Sequence, residues 1–181
     1  MQPFPIAKPT YRKTSMKIFS LILASLVLGF NVKAQNQFET IDDNGKIFKG
    51  IISRELIEKE PSFTWYAEGK KGYVPNAAAV TGLKKSADSV QLIVFMGTWC
   101  EDSHFVIPKF FSVTDAAGFK AQNISLIGVD RNKKTLGNLA EALNVKNVPT
   151  IIVMKKGKEV GRVIEYGTSG SFEKDLSELL K

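Results

Sequence analysis

The chain has 181 residues, 44% of them hydrophobic, which suits one packed domain with additions better than two full domains. Its formal charge of +7 suggests a nucleic-acid partner, but five Lys/Arg (Lys8, Arg12, Lys13, Lys17, Lys33) and no acid fall within residues 1–34. The remaining 20 of the 25 basic side chains face 18 acidic ones, with no basic stripe of interleaved aromatics, and this excludes a phosphate-tracking surface.

Residues 1–34 read as a signal peptide. Ile18 to Phe30 is apolar and uncharged, and its 13 residues are too few to cross a bilayer core of roughly 30 Å. They suit the apolar core of a secretory signal, with Lys17 and other basic residues before it. Val32-Lys33-Ala34 places small residues where a signal peptidase needs them, so the mature chain is expected to begin at Gln35. Met16-Lys17 also looks like a start, in which case residues 1–15 precede the natural one. The alternatives are an uncleaved membrane anchor or a buried core helix. The expectation is an exported, periplasmic protein with no membrane attachment once the signal is removed.

Residues 35–89 form an N-terminal extension. Phe38 to Ile52 contains Asn44-Gly45, which predicts a hairpin with a two-residue turn. Ser53 caps a short helix through Glu60. Pro61 to Pro75 is rich in aromatics (Phe63, Trp65, Tyr66, Tyr73) and is expected to pack as a short helix and loop over the main domain. Asn76 starts a helix over Ala77–Lys85.

Residues 90–181 carry the core. Val90–Met96 is an apolar run of strand length, buried on both faces. Gly97-Thr98-Trp99-Cys100 is the turn after it. Glu101 to about Ala117 has helical spacing, with Pro108 expected to kink it. A second strand covers Ile124–Asp130, a helix Thr135–Leu143, a third strand Pro149–Met154, a fourth Val160–Tyr166, and an amphipathic helix begins at Ser171. The fold class is α/β: a central mixed sheet flanked by helices. The first two core strands are parallel neighbours through right-handed crossovers, and the final hairpin adds an antiparallel edge.

Cys100 is the only cysteine. It stands at the carboxyl end of a buried strand and at the start of a helix, where catalytic groups of open α/β sheets gather. Helix N-termini present free N–H groups and partial positive charge, which favour a thiolate, the nucleophile of disulfide exchange. Glu101 and Asp102 oppose that effect, so a moderately activated thiol is expected. In an oxidising compartment a lone cysteine is either a buried inert thiol or one that pairs with another molecule. One cysteine and one histidine make no zinc or haem cluster, and no metal or organic cofactor is implied.

The remaining side chains each admit a plain role. Ser103 is either a first-turn helix residue or a hydrogen-bond partner of the Cys100 thiolate. His104 lies one turn beyond Cys100, and surface packing is favoured over approach to the thiol. Trp99 shields the loop and offers a docking surface. Glu101 and Asp102 read as a solvated helix start. Gly97, and not Thr98, stands three residues before the cysteine, where a peroxidase threonine would be.

On these residues the chain resembles the thioredoxin family, in particular exported thioredoxin-like proteins of bacterial envelopes. Val94-Phe95-Met96-Gly97-Thr98-Trp99-Cys100 resembles the family's strand and active-site entry. Pro108 matches its helix proline, Val148-Pro149-Thr150 its cis-proline loop, and Met154–Gly161 its last hairpin. The resemblance implies a thioredoxin-like fold, with Val148 and Pro149 facing the nucleophilic cysteine and pairing with a substrate backbone. Two positions depart from it: the second cysteine is Ser103, and the buried acid six residues before the first cysteine is Val94.

The expected function is monothiol thiol–disulfide exchange through a mixed disulfide at Cys100, with Ser103, Trp99, Pro149 and Val148 completing the site. Its partners would be protein or small-molecule thiols and disulfides. The protein would be a monomer, with a Cys100-linked dimer as its oxidised form. Two other readings stand beside it: a redox-silent peptide-binding module using the Trp99/Pro149 groove, and a single-cysteine redox sensor.

Overall fold

The computed structural model describes residues 37–181. The expected signal peptide and the Gln35 start lie outside the described residues. Among the described residues no helix is long and apolar enough to cross a membrane.

The chain opens with a hairpin of β1 (Phe38–Asp42) and β2 (Lys46–Ile52), paired antiparallel. Asp42 faces Lys46, so the connection is three residues, Asp43-Asn44-Gly45, one more than expected. Asn44 (φ 50°) and Gly45 (φ 120°) take the positive-φ backbone that the turn requires. Helix α1 (Arg54–Lys59) begins where Ser53 Oγ accepts from Leu56 N–H. A short α2 (Thr64–Glu68) follows. Helix α3 (Ala77–Ser86) starts at Asn76, whose side chain accepts from the N–H groups of Ala78 and Ala79.

Strand β3 (Val90–Met96) leads through the Gly97–Cys100 turn into α4 (Glu101–Ala117), which continues through Pro108 and ends at left-handed Gly118. Strand β4 (Ile124–Gly128) follows. The helix expected over Thr135–Leu143 is broken: a 3-10 turn (Leu136–Asn138) runs into a four-residue α5 (Leu139–Ala142). Gly137 (φ 65°) and Asn138 (φ 54°) are left-handed, and a regular helix cannot pass through that pair. Strands β5 (Thr150–Lys155) and β6 (Lys158–Ile164) form the second hairpin, and α6 (Phe172–Leu179) closes the chain, capped by Ser171.

All six strands make one sheet in the order β1-β2-β4-β3-β5-β6. β3 and β4 are parallel; β5 and β6 run antiparallel to their neighbours. The N-terminal hairpin is continuous with this sheet, because β2 pairs antiparallel with β4 from Gly50↔Gly128 to Ile52↔Leu126.

The central strands read as unbroken apolar runs because both faces are covered. Leu92, Val94 and Met96 enter the larger core with Ile107, Phe110 and Leu176, while Phe95 enters a smaller one with Ile127, Val148 and Ile152. Helices α3, α4 and α6 pack on the first face. The second is covered by the segment of Leu139, Ala140, Leu143 and Val145. Trp99 and Cys100 pack against the edge of this smaller core.

Candidate functional site

The site is the strand-to-helix turn Gly97–Cys100, and every residue in it is tied to a neighbour. Gly97 N–H donates to Ser103 Oγ at 3.2 Å. Thr98 Oγ1 accepts from Phe48 N–H (3.3 Å) and donates to the Lys46 carbonyl (3.0 Å), so β2 grips the turn by its side chain. Trp99 Nε1 donates to the Val129 carbonyl at 3.0 Å. A Cβ at Gly97 would stand 2.7 Å from the Trp99 ring, so only glycine lets the indole lie down there.

Cys100 is half-buried and is the N-cap residue of the 17-residue α4. No side chain caps that end of the helix, so its first-turn N–H groups are left for whatever charge develops at the turn. The Cys100 thiol lies 3.3 Å from the Val148 carbonyl oxygen, to which it donates. The Val148–Pro149 peptide is cis, and both residues are buried. The fold thus brings Trp99, Cys100, Val148 and Pro149 to one place.

Ser103 is nearby but turned inward. It is fully buried, and its recorded hydrogen bond is the one accepted from Gly97 N–H, where a bond to the Cys100 thiolate was one expectation. Val94, at the family's acidic position, is buried in the larger core. His104 takes the packing role. Its ring stacks on Trp65 at 4.2 Å between centroids and 14° between planes, and Nε2 lies 2.7 Å from the Thr98 carbonyl.

Two features of the rim have no local sequence signal. Arg131 and Lys133, on the loop after β4, sit over the Trp99 ring at 5.5 and 5.6 Å. Asp130 shapes that loop by accepting from the N–H groups of Asn132 and Lys134, both at 2.9 Å. Burial opposes ionisation of Asp130, but the Lys134 N–H and the Lys49 ammonium, 3.1 Å away, outweigh it and hold the carboxyl below its ordinary range. On the other side, Tyr166 donates to Asp102 Oδ1 at 2.8 Å. That hydrogen bond to a carboxylate, reinforced by burial, pushes the phenol up to about 12. The Tyr166 ring lies 5.3 Å from exposed Phe105.

A thiol at a strand-to-helix turn, beside a cis-proline loop and on a mixed sheet covered by helices, defines a thioredoxin-like α/β protein. The thioredoxin family model matches residues 77–178, and the chain belongs to the thioredoxin family. That stretch reaches back to α3; the hairpin, α1 and α2 lie outside it. Among relatives, a thioredoxin of Chlamydia pneumoniae is 32% identical over 78 residues, covering 43% of this chain and 71% of that one. Thioredoxin H2 of Arabidopsis thaliana is 25% identical over 95 residues, covering 52% of this chain and 66% of that one. The chain thus spans about two thirds of the length of these relatives. The crystal structure of an HIV epitope-scaffold shares the fold at a TM-score of 0.50 and 15% identity, covering 72% of this chain and 90% of that one. The relatives support a thioredoxin-like redox role in general.

Proposed function

We propose that the protein is an exported monothiol thioredoxin-like protein that exchanges thiols and disulfides through Cys100. The observation that carries this reading is the placement of a half-buried thiol at the uncapped start of α4, 3.3 Å from the Val148 carbonyl and next to Pro149. The Cys100 thiolate attacks one sulfur of a partner disulfide. A mixed disulfide forms, and the other sulfur leaves as a thiolate. With serine at position 103, a thiolate from outside the chain then attacks the mixed disulfide and releases Cys100. The Val148-Pro149 loop meets the thiol through the Val148 carbonyl, and Trp99 packs with Cys100 against the smaller core. Export rests on the charge and length pattern of residues 1–34, with a periplasmic location and cleavage before Gln35.

The test is incubation with a disulfide-bonded protein or an oxidised small thiol at neutral pH, followed by mass spectrometry. A Cys100-linked adduct is expected to accumulate, and turnover should rise with added monothiol. Cys100→Ser should remove the adduct and keep the fold. No adduct from the wild type, together with full biological activity in Cys100→Ser, would replace this reading with the peptide-binding one. N-terminal sequencing of exported protein tests the start at Gln35; retention of Met1 or Met16 would sink it.

A further inference from the structure

The family resemblance gives residues before the core no part in the site, yet a ladder of rings leads from there into the active-site turn. Phe38 meets Phe48 at 5.7 Å, Phe48 meets Phe63 at 5.3 Å, and Phe63 meets Trp65 at 5.6 Å between centroids. The ladder ends in the Trp65–His104 stack, the tightest and flattest of these contacts at 4.2 Å and 14°. Trp65 Nε1 is buried with no hydrogen-bond partner among the described residues, so packing alone orients the indole.

His104 passes that orientation on. Its Nε2 is 2.7 Å from the Thr98 carbonyl oxygen, which can only accept, so the ring proton sits on Nε2. Thr98 is two residues before Cys100, and its side chain is already held by Lys46 and Phe48 of β2. The Thr98 carbonyl is a second polar handle on this residue, and His104 occupies it. Both anchors of Thr98 therefore depend on residues 46–65, one directly and one through the stack.

We propose that His104 is a positioning residue for Cys100: as the Nε2–H tautomer it fixes the Thr98 peptide, and Trp65 fixes His104. The segment before the core thereby sets where the thiol stands relative to the α4 N–H groups and the Val148 carbonyl. The proposal deepens the exchange reading and rests on it for its effect on rate.

The test compares the rate at which Cys100 forms a mixed disulfide with 2-hydroxyethyl disulfide, a small uncharged probe, in the wild type and four variants. His104→Phe keeps an aromatic ring against Trp65 and removes the donor; its rate should fall about fivefold, the scale of one hydrogen bond. His104→Gln places an amide N–H near the Nε2 position and should recover to within about twofold of wild type. Trp65→Ala should slow the reaction as His104→Phe does. The double variant should lose no more than either alone, because both act through one contact. Circular dichroism checks that each variant folds. His104 is the only histidine, so nitrogen-15 NMR reads its tautomer without assignment, and Nε2–H is expected at neutral pH. An Nδ1–H tautomer, or equal rates for His104→Phe, His104→Gln and wild type, overturns the positioning role and leaves the exchange reading intact. A wild-type Cys100 inert to the probe overturns both.

Discussion

Ser103 shows how much one atom changes at this site. Its hydroxyl is fully buried at the position one helical turn inside Cys100, where it accepts from Gly97 N–H. Ser103→Cys puts a second sulfur there with almost no change in shape. We predict that the Cys100 adduct population collapses and that dithiol reductase activity rises, because attack becomes intramolecular. Sulfur is the poorer acceptor for Gly97 N–H, so stability should fall by about 0.5–1.5 kcal/mol in denaturant titration. Adducts as long-lived as those of the wild type would mean that position 103 cannot reach Cys100. A second residue-scale prediction concerns Asp130. Folding lowers its pKa, so its contribution to stability is complete above the unfolded carboxyl value of about 4 and is lost as pH falls through the lower folded value. Asp130→Asn should therefore destabilise the protein at pH 7 and flatten the acid limb of Tm against pH. An unchanged acid limb would rule the Asp130 network out as its source.

At the level of elements, the turn between β3 and α4 is held by β2 as well as by the two elements it joins. Thr98→Val, nearly isosteric, strips the hydroxyl from Phe48 N–H and the Lys46 carbonyl. The expected cost is about 1–3 kcal/mol, with an unchanged m-value, because a buried N–H is left unpaired. A loss under 0.5 kcal/mol would show that water replaces the bond. Sequence reading served elements with local signals well. The helical spacing of Phe105, Val106, Phe110 and Val113 marks out α4, which runs Glu101–Ala117. β3 and β5 announced themselves because burial on both faces leaves no polar alternation to confuse with a helix. The region after β4 misled, because Leu136, Leu139 and Leu143 suggest helical spacing while Gly137 and Asn138 adopt left-handed backbone between them. Trp99, Cys100, Val148 and Pro149 could be picked out as motif positions. The Trp65 stack and the cations over Trp99 could not, since each needs the packing of a segment distant in sequence.

Over the whole molecule, the hairpin outside the matched stretch behaves as part of the domain. Ile47, Phe48 and Ile52 are all buried, at about 1.5–3 kcal/mol each, against a total stability of about 5–15 kcal/mol for a typical domain. We predict that a chain starting at Ser53 loses cooperative thermal unfolding and associates in gel filtration. A monomeric truncation with a sharp transition would show that the core stands alone. The sheet order also imposes a timetable. β2 comes early in the chain but its inner neighbour is β4, so Gly50 can pair with Gly128 only after the intervening chain has folded back. Until then the β2 side of the hairpin is an open row of backbone donors and acceptors, with Ile47, Phe48 and Ile52 beside it. Two lysines punctuate the same strand, at positions 46 and 49. Charges so placed discourage another nascent hairpin from adding itself to that row, and they keep the position vacant for the strand that arrives later from the same chain.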